Sequence, residues 1–183
     1  MTKVIEADRS FKVWWHLTRP HTLTASFVPV FLGTTIALTI EGEMINFPLF
    51  LALLVASMLI QAATNMFNEY YDYKLGLDNE HSVGIGGTIV RHGVAPSTIM
   101  AIALSFYGIA LLLGIYICAM SSWWIAVVGL ICMLIGYLYT GGPYPIAYSP
   151  FGELVSGTVM GMGIVLISFF IQTKTVTLEA ILL

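Results

Sequence analysis

The chain is organised by long apolar runs separated by short polar segments. Five stretches, at about 22–40, 47–71, 98–119, 123–140 and 153–172, are mostly apolar. A helix of roughly 20 such residues crosses the hydrocarbon core of a bilayer. Lipid admits backbone only where its hydrogen bonds are closed within the protein. The pattern therefore predicts an all-α, polytopic membrane bundle of five spanning helices, forming a single membrane domain over residues 1–183. A sixth apolar run opens at Leu178, and the chain stops at Leu183. That ending is expected of an interrupted protein, since a finished one more often completes the helix or adds a polar tail. Pro29 lies inside the first span and is expected to kink it. Gly157, Gly161 and Gly163 in the fifth predict a small-residue face for close helix packing.

Composition sharpens this reading. Hydrophobic residues make up 58% of the chain and charged residues only 9%, against about 25% charged in soluble domains. Mean hydropathy is +0.89. A net charge of -3 gives no footing for nucleic acid. Cys118 and Cys132 both lie in apolar runs and read as small hydrophobes, and the histidines at 16, 21, 81 and 92 lack zinc spacing. The first 20 residues carry Glu6, Asp8, Arg9, Lys12 and Arg19, which argues against a cleavable signal peptide. Residues 1–20 read as an interfacial segment, with Trp14 and Trp15 of FKVWWHLTRPH at headgroup level.

Lys and Arg set the orientation. With the N-terminus inside, Lys3, Arg9, Lys12, Arg19, Lys74 and Arg91 are cytoplasmic and only Lys174 is outside, a positive-inside bias. The two long polar loops, 73–97 and 141–152, then share the cytoplasmic side.

The second span reads as apolar up to Ala63 and then turns polar, with Asn65, Asn68, Glu69, Asp72 and, beyond Gly76, Asp78. Helix positions three and four apart share a face, so the first four form a stripe. Gly76 lets the chain turn Asp78 back toward it. Carboxylates crowded beside hydrocarbon need a cation. Hard oxygen ligands suit Mg²⁺, which commonly takes one or two carboxylates together with phosphate oxygens. The alternative is a polar helix end solvated at the interface. The next loop, GIGGTIVRHG, offers Gly84, Gly86 and Gly87 for backbone approach to phosphate and Arg91 to pair with it; it also reads as a flexible connection. The other inner loop, YTGGPYPIAYSPFGE, offers Tyr139, Tyr144, Tyr148 and Glu153. Aromatic faces there can stack on a flat ring or stabilise a carbocation, or simply anchor the interface. Glu153 can favour a helix N-terminus or serve the substrate. Arg19, in TRPHTL, suits either a topology anchor or an anionic substrate group.

Taken in order, RPHTL, NEYYDYKLGLD and YTGGPYPIAYSPFGE resemble the UbiA superfamily of intramembrane aromatic prenyltransferases. The superfamily's first Asp-rich motif, NDxxDxxxD, is matched by Asn68, Glu69, Asp72 and Asp78 with altered spacing. That variant, with YTGGPYP and the pair Gly152–Glu153, is similar to the branch acting on 1,4-dihydroxy-2-naphthoate in menaquinone synthesis. The resemblance implies nine helices around a central cavity, and Mg²⁺ that binds a polyprenyl diphosphate. It implies ionisation to an allylic cation, attack by the aromatic ring and loss of the ring's carboxyl group, giving demethylmenaquinone. By position it makes Asn68, Asp72 and Asp78 the catalytic and metal-binding residues. Asn65, Glu69, Arg91, Arg19, Tyr139, Tyr148 and Glu153 become candidates for substrate binding. The superfamily's second Asp-rich motif follows its sixth span and has no counterpart before Leu183, so the expectation is little or no transferase activity from these 183 residues alone.

Two rival classes fit less well. CDP-alcohol phosphotransferases carry a DGxxAR pattern, whereas Asp72 is followed by Tyr73 and Lys74. A small cation transporter needs acidic residues deep in several spans, whereas here they gather at inner ends and loops. A non-catalytic fragment with the same fold is a third possibility.

Overall fold

A computed structural model describes residues 10–42, 44–78, 87–141 and 144–177, and these form helices and short connections. The opening of a sixth span at Leu178, and Gly84, Gly86 and His81, lie outside the described residues. In chain order the helices are α1 (Phe11–Thr18), a 3₁₀ turn at Pro20–Leu23, α2 (Thr24–Ile40), α3 (Phe47–Lys74), α4 (Thr88–His92), α5 (Pro96–Met120) and α6 (Trp124–Thr140). A 3₁₀ turn at Ile146–Tyr148 leads to α7 (Gly152–Val155), which runs through a π-helical stretch, Ser156–Gly163, into α8 (Ile164–Thr173).

The five expected spans are all present as helices. Four of these helical stretches, Phe11–Ile40, Phe47–Lys74, Pro96–Met120 and Gly152–Thr173, are long and apolar enough to cross a membrane; the fifth, Trp124–Thr140, is apolar but shorter at 17 residues. The protein is thus a multi-pass helical membrane protein. Its outward faces agree: Leu104, Leu112, Trp123, Trp124, Leu130 and Leu134 are all exposed. That much bare apolar surface is out of place in water and ordinary against lipid.

α3 is the central element and packs against α5, α2, α6, α1 and α8. Its start is capped by Asn46, whose side chain accepts from the Leu49 N–H at 3.3 Å, with Pro48 in the first turn where its missing N–H costs nothing. The Asn46 N–H also donates to Gln172 Oε1 at 2.8 Å, tying this end to the end of α8. Two apolar cores flank the middle of α3. One contains Leu49, Leu53, Val30, Ile117 and Ile171; the other contains Met66, Phe67, Val13, Leu17, Ile89 and Ile99. Between them α3 lines an apolar cavity of about 270 Å³ shared with α5, α6, α8 and the π-helical stretch.

Trp14 packs against the second core while Trp15 is exposed, because consecutive helix positions face different ways. One expectation is corrected here. Gly157 and Gly161 do not mediate close packing: a Cβ at either would meet nothing within 4 Å among the described residues, and at Gly163 only its own helix. The close approach is made instead by Gly33 on α2. A Cβ there would stand 2.2 Å from the Val165 carbonyl oxygen and 2.7 Å from Ser168 Cβ. Beside it Ser168 Oγ donates to the Val30 carbonyl at 2.7 Å and lies 2.9 Å from Thr34 Oγ1. Small residues and hydroxyls at one crossing are the usual way membrane helices associate without a hydrophobic driving force.

Candidate functional site

The polar site grows from the way α3 ends. Gly76 adopts φ +72, the left-handed conformation that glycine takes without steric cost. The Leu77 N–H bonds to the Asp72 carbonyl at 2.9 Å and the Gly76 N–H to the Tyr73 carbonyl at 3.1 Å. This is a Schellman closure of the helix. It folds the chain back, so that the Asp78 N–H also points at the Asp72 carbonyl, at 3.3 Å. Asp78 thereby joins the stripe from which it is separated in sequence.

The Asp72 carboxylate is close enough to perturb Asp78. Burial, then the neighbouring Asp72 charge, raises the Asp78 pKa above its ordinary 3.8; Arg19, Arg91 and the Gly87 backbone N–H partly offset this. Asp78 Oδ2 is buried without a hydrogen-bond partner among the described residues. Asp72 is better supplied. Its Oδ1 accepts from the Tyr148 hydroxyl at 2.7 Å, and its Oδ2 from the Asn68 amide at 3.2 Å when that amide is oriented to satisfy both its neighbours. Burial and the bond to Asp72, with the charges of Asp72 and Asp78, push the Tyr148 hydroxyl up to about 12. Tyr148 is therefore a neutral donor at physiological pH. The same contact brings the 141–152 loop onto the end of α3, so both long polar loops lie at one end of the bundle.

Arg19 holds the other side. It sits between α1 and the first 3₁₀ turn with φ 49, a conformation uncommon for a residue with a Cβ. Asn65 pins the chain on both sides of it, donating at 2.8 Å to the Thr18 carbonyl and at 2.8 Å to Thr22 Oγ1. The guanidinium reaches Asn68 Oδ1 at 3.0 Å through Nη1 and Glu69 Oε2 at 3.6 Å through Nη2. Glu69 is 2% exposed. Its carboxylate also accepts from the N–H groups of Gly87 and Ile89, each at 3.2 Å, at the start of α4. Two charge-assisted hydrogen bonds and the ion pair with Arg19 occupy it. Arg91, on α4, folds back over Gly87 and contributes to the field at Asp78.

The ten residues singled out from the sequence thus fall into three groups. Asn68, Asp72, Asp78, Tyr148, Arg19 and Arg91 converge. Asn65 and Glu69 border them, with their polar atoms turned to α1 and α4. Tyr139 lies in the wall of the apolar cavity, and Glu153 is exposed in the first turn of α7. Gln61 escaped the sequence reading. It lines the cavity, is 7% exposed, and its Oε1 has no partner among the described residues. The available signal was a lone amide inside an apolar run, one helical turn before Asn65.

Chemically, the site offers two carboxylates with excess negative charge, one of them with an unpaired buried oxygen, facing two guanidinium groups. Hard oxygen donors of this kind suit a divalent cation such as Mg²⁺, and the guanidiniums suit phosphate. No cluster of three or more His, Cys, Asp or Glu is found among the described residues, so exogenous oxygens must complete any coordination shell.

Known proteins are similar to this chain in sequence. The 1,4-dihydroxy-2-naphthoate octaprenyltransferase of Bacillus subtilis (strain 168) is 62% identical over 94% of the chain and 55% of its own length. The protein of the same name from Mycobacterium tuberculosis (strain ATCC 25618 / H37Rv) is 32% identical over 79% of the chain and 49% of its own length. UbiA prenyltransferase domain-containing protein 1 of Xenopus tropicalis is 31% identical over 75% of the chain and 39% of its own length. The chain spans about half the length of the curated relatives it matches. The family model for UbiA prenyltransferases matches residues 26–183. That match runs from the first turn of α2 through α8 and includes the end of α3 where Asp72 and Asp78 are drawn together, and on it the chain belongs to the UbiA prenyltransferase family.

Proposed function

We propose that this chain forms the part of a prenyltransferase that binds a polyprenyl diphosphate and directs it onto 1,4-dihydroxy-2-naphthoate, giving the prenylated 1,4-naphthoquinol, the reduced form of demethylmenaquinone. The observation that carries this reading is the pairing of Asp72 with Asp78 on the helix whose middle lines an apolar cavity. A polyprenyl diphosphate has the same two-part character, a polyanionic head and an apolar tail. The choice of acceptor rests on the similarity to proteins named for the naphthoate.

Asp72 and Asp78 would hold Mg²⁺. The fit rests on the proximity of the Asp72 charge to Asp78 and on the unpartnered Asp78 Oδ2. When bound, Mg²⁺ acts as a Lewis acid that stabilises charge on the departing diphosphate. Asn68 presents its carbonyl oxygen to Arg19 and would join the ligands only by exchanging that guanidinium. Arg19 and Arg91 bind diphosphate oxygens and take up negative charge as it develops. The bond between prenyl C1 and the diphosphate oxygen breaks, its electron pair leaving with pyrophosphate. A ring carbon of the acceptor forms the new bond to C1, and the ring carboxylate departs as CO₂, its C–C bonding pair returning to the ring so that the product is the aromatic quinol. The apolar cavity keeps water from the allylic cation, and the ring of Tyr139 in its wall can stabilise positive charge. In this reading the membrane is the cell membrane and the site end is cytoplasmic, an orientation that the six inner Lys and Arg against one outer support.

Acceptor choice is tested by calorimetric titration of the chain, in lipid nanodiscs with Mg²⁺ and a non-ionisable prenyl diphosphate analogue. 1,4-Dihydroxy-2-naphthoate should bind at least about tenfold more tightly than 4-hydroxybenzoate, a difference of about 1.4 kcal/mol. Equal affinities would overturn the assignment.

A further inference from the structure

The wall of the cavity is apolar except at a few points, among them Ser57, Gln61 and Thr64 on α3, and Gln61 is unexplained. Ser57 Oγ is satisfied by the Leu54 carbonyl and Thr64 Oγ1 by the Ile60 carbonyl. Gln61 lies between them, 7% exposed, with its Oε1 buried and without a partner among the described residues. An amide carried into a bilayer without hydrogen bonds costs several kcal/mol. Residues 61, 65, 68 and 72 are spaced four, three and four apart, so Gln61 continues the face of Asn65, Asn68 and Asp72 deeper into the membrane. Seven residues of helix place it about 10 Å along the axis from Asn68. The cavity lies directly against it.

We propose that Gln61 is the hydrogen-bonding residue that recognises a ring hydroxyl of the aromatic acceptor, and so sets which acceptors enter. This rests on the prenyl-transfer reading above and deepens it. The chemistry selects the ligand group. The amide oxygen needs a donor and the NH₂ needs an acceptor; a phenolic hydroxyl is both at once, whereas a ketone or an ether can only accept. A carboxylate is a poor match, because burying its charge in an apolar wall is far more costly than burying a neutral hydroxyl. An acceptor bearing both groups therefore enters hydroxyl first and keeps its carboxylate toward Arg19 and Arg91. A site built around a hydrogen bond also discriminates more strongly than an apolar pocket, because the wrong ligand leaves the buried amide unpaired.

The test compares the unmutated chain with Gln61→Leu and Gln61→Met in nanodiscs. Calorimetry measures binding of 1,4-dihydroxy-2-naphthoate, of its 1,4-dimethoxy analogue and of a prenyl diphosphate analogue with Mg²⁺. Thermal unfolding of each variant confirms that it is folded, and Gln61→Met serves if Gln61→Leu does not fold. In the folded variant, naphthoate binding should weaken by about 10- to 100-fold, and diphosphate binding should stay within about twofold. The preference for the hydroxyl form over the dimethoxy form should disappear with it. Naphthoate binding that survives the substitution overturns this inference alone, as does equal weakening of both ligands, which marks Gln61 as purely structural. Absence of naphthoate binding by the unmutated chain overturns the acceptor reading, and this inference with it.

Discussion

Glu69 and Asp78 show how differently two acidic side chains of one motif can be used. Glu69 has three donors around it and is almost wholly buried. Removing its carboxylate strands the Arg19 guanidinium and the Gly87 and Ile89 N–H groups. Glu69→Ala should therefore lower the unfolding free energy by about 3 kcal/mol, measured by denaturant unfolding in detergent, and Glu69→Gln by less, because an amide oxygen remains. A change within about 0.5 kcal/mol for Glu69→Ala would mean that these contacts carry no stability. Asp78 is the opposite case. Its pKa is raised, so the folded chain holds that proton more tightly than the unfolded chain does. Its charged form opposes folding, and the favourable contribution present at low pH is lost as pH rises through the raised value. Asp78→Asn should thus stabilise the chain at pH 7 in the absence of divalent cations. The gain should shrink as pH falls toward 3.8, and thermal unfolding at several pH values reads both effects. A destabilised Asp78→Asn at neutral pH contradicts the sign. The sequence showed these residue types and their shared face. It could not show the partners, because a stripe about 100° wide puts Asn68 and Glu69 at opposite edges. One turns to Asp72 and the other to α4, whose position depends on a long loop. Gln61 was passed over for a related reason: one amide hardly alters the hydropathy of an apolar run.

Among the helices, the apolar runs anticipated each span to within a few residues, since burial in lipid imposes length and composition directly. What they did not reveal is which helix contacts which. Three glycines at near-helical spacing on the last span suggested an interface, yet the π-helical stretch Ser156–Gly163 re-aims them, and Gly33 makes the close crossing. The two kinds of glycine should respond oppositely to a methyl group. Gly33→Ala forces a Cβ against the Val165 carbonyl and should cost about 1–3 kcal/mol. Gly161→Ala meets open space and should be neutral, or more stable by up to about 1 kcal/mol through helix propensity. Melting temperatures of the two variants in one detergent would decide the matter; equal effects would contradict the crossing. The Schellman turn at Gly76, by contrast, was legible. A glycine just past a helix end is a local signal, and the return of Asp78 follows from backbone geometry alone.

At the scale of the whole molecule the chain has two unlike regions. Both long loops, Arg19 and the carboxylates gather at one end of α3. Its middle faces an apolar cavity, and its far end is fastened to α8 through Asn46 and Gln172. This polarity follows from the sequence, because Lys, Arg and the acidic residues concentrate in segments that must share one side of a membrane. The cavity does not follow from it, because its volume depends on how five helices splay. The central claim is that Asp72 and Asp78 act together as the divalent-cation and diphosphate site. The most direct measurement is the affinity of the chain in nanodiscs for a polyprenyl diphosphate, with Mg²⁺ and with EDTA, for the unmutated protein and for Asp72→Asn and Asp78→Asn. Binding should require Mg²⁺ and fall by about 100-fold in each variant. Binding indifferent to Mg²⁺, or unchanged in both variants, would contradict it.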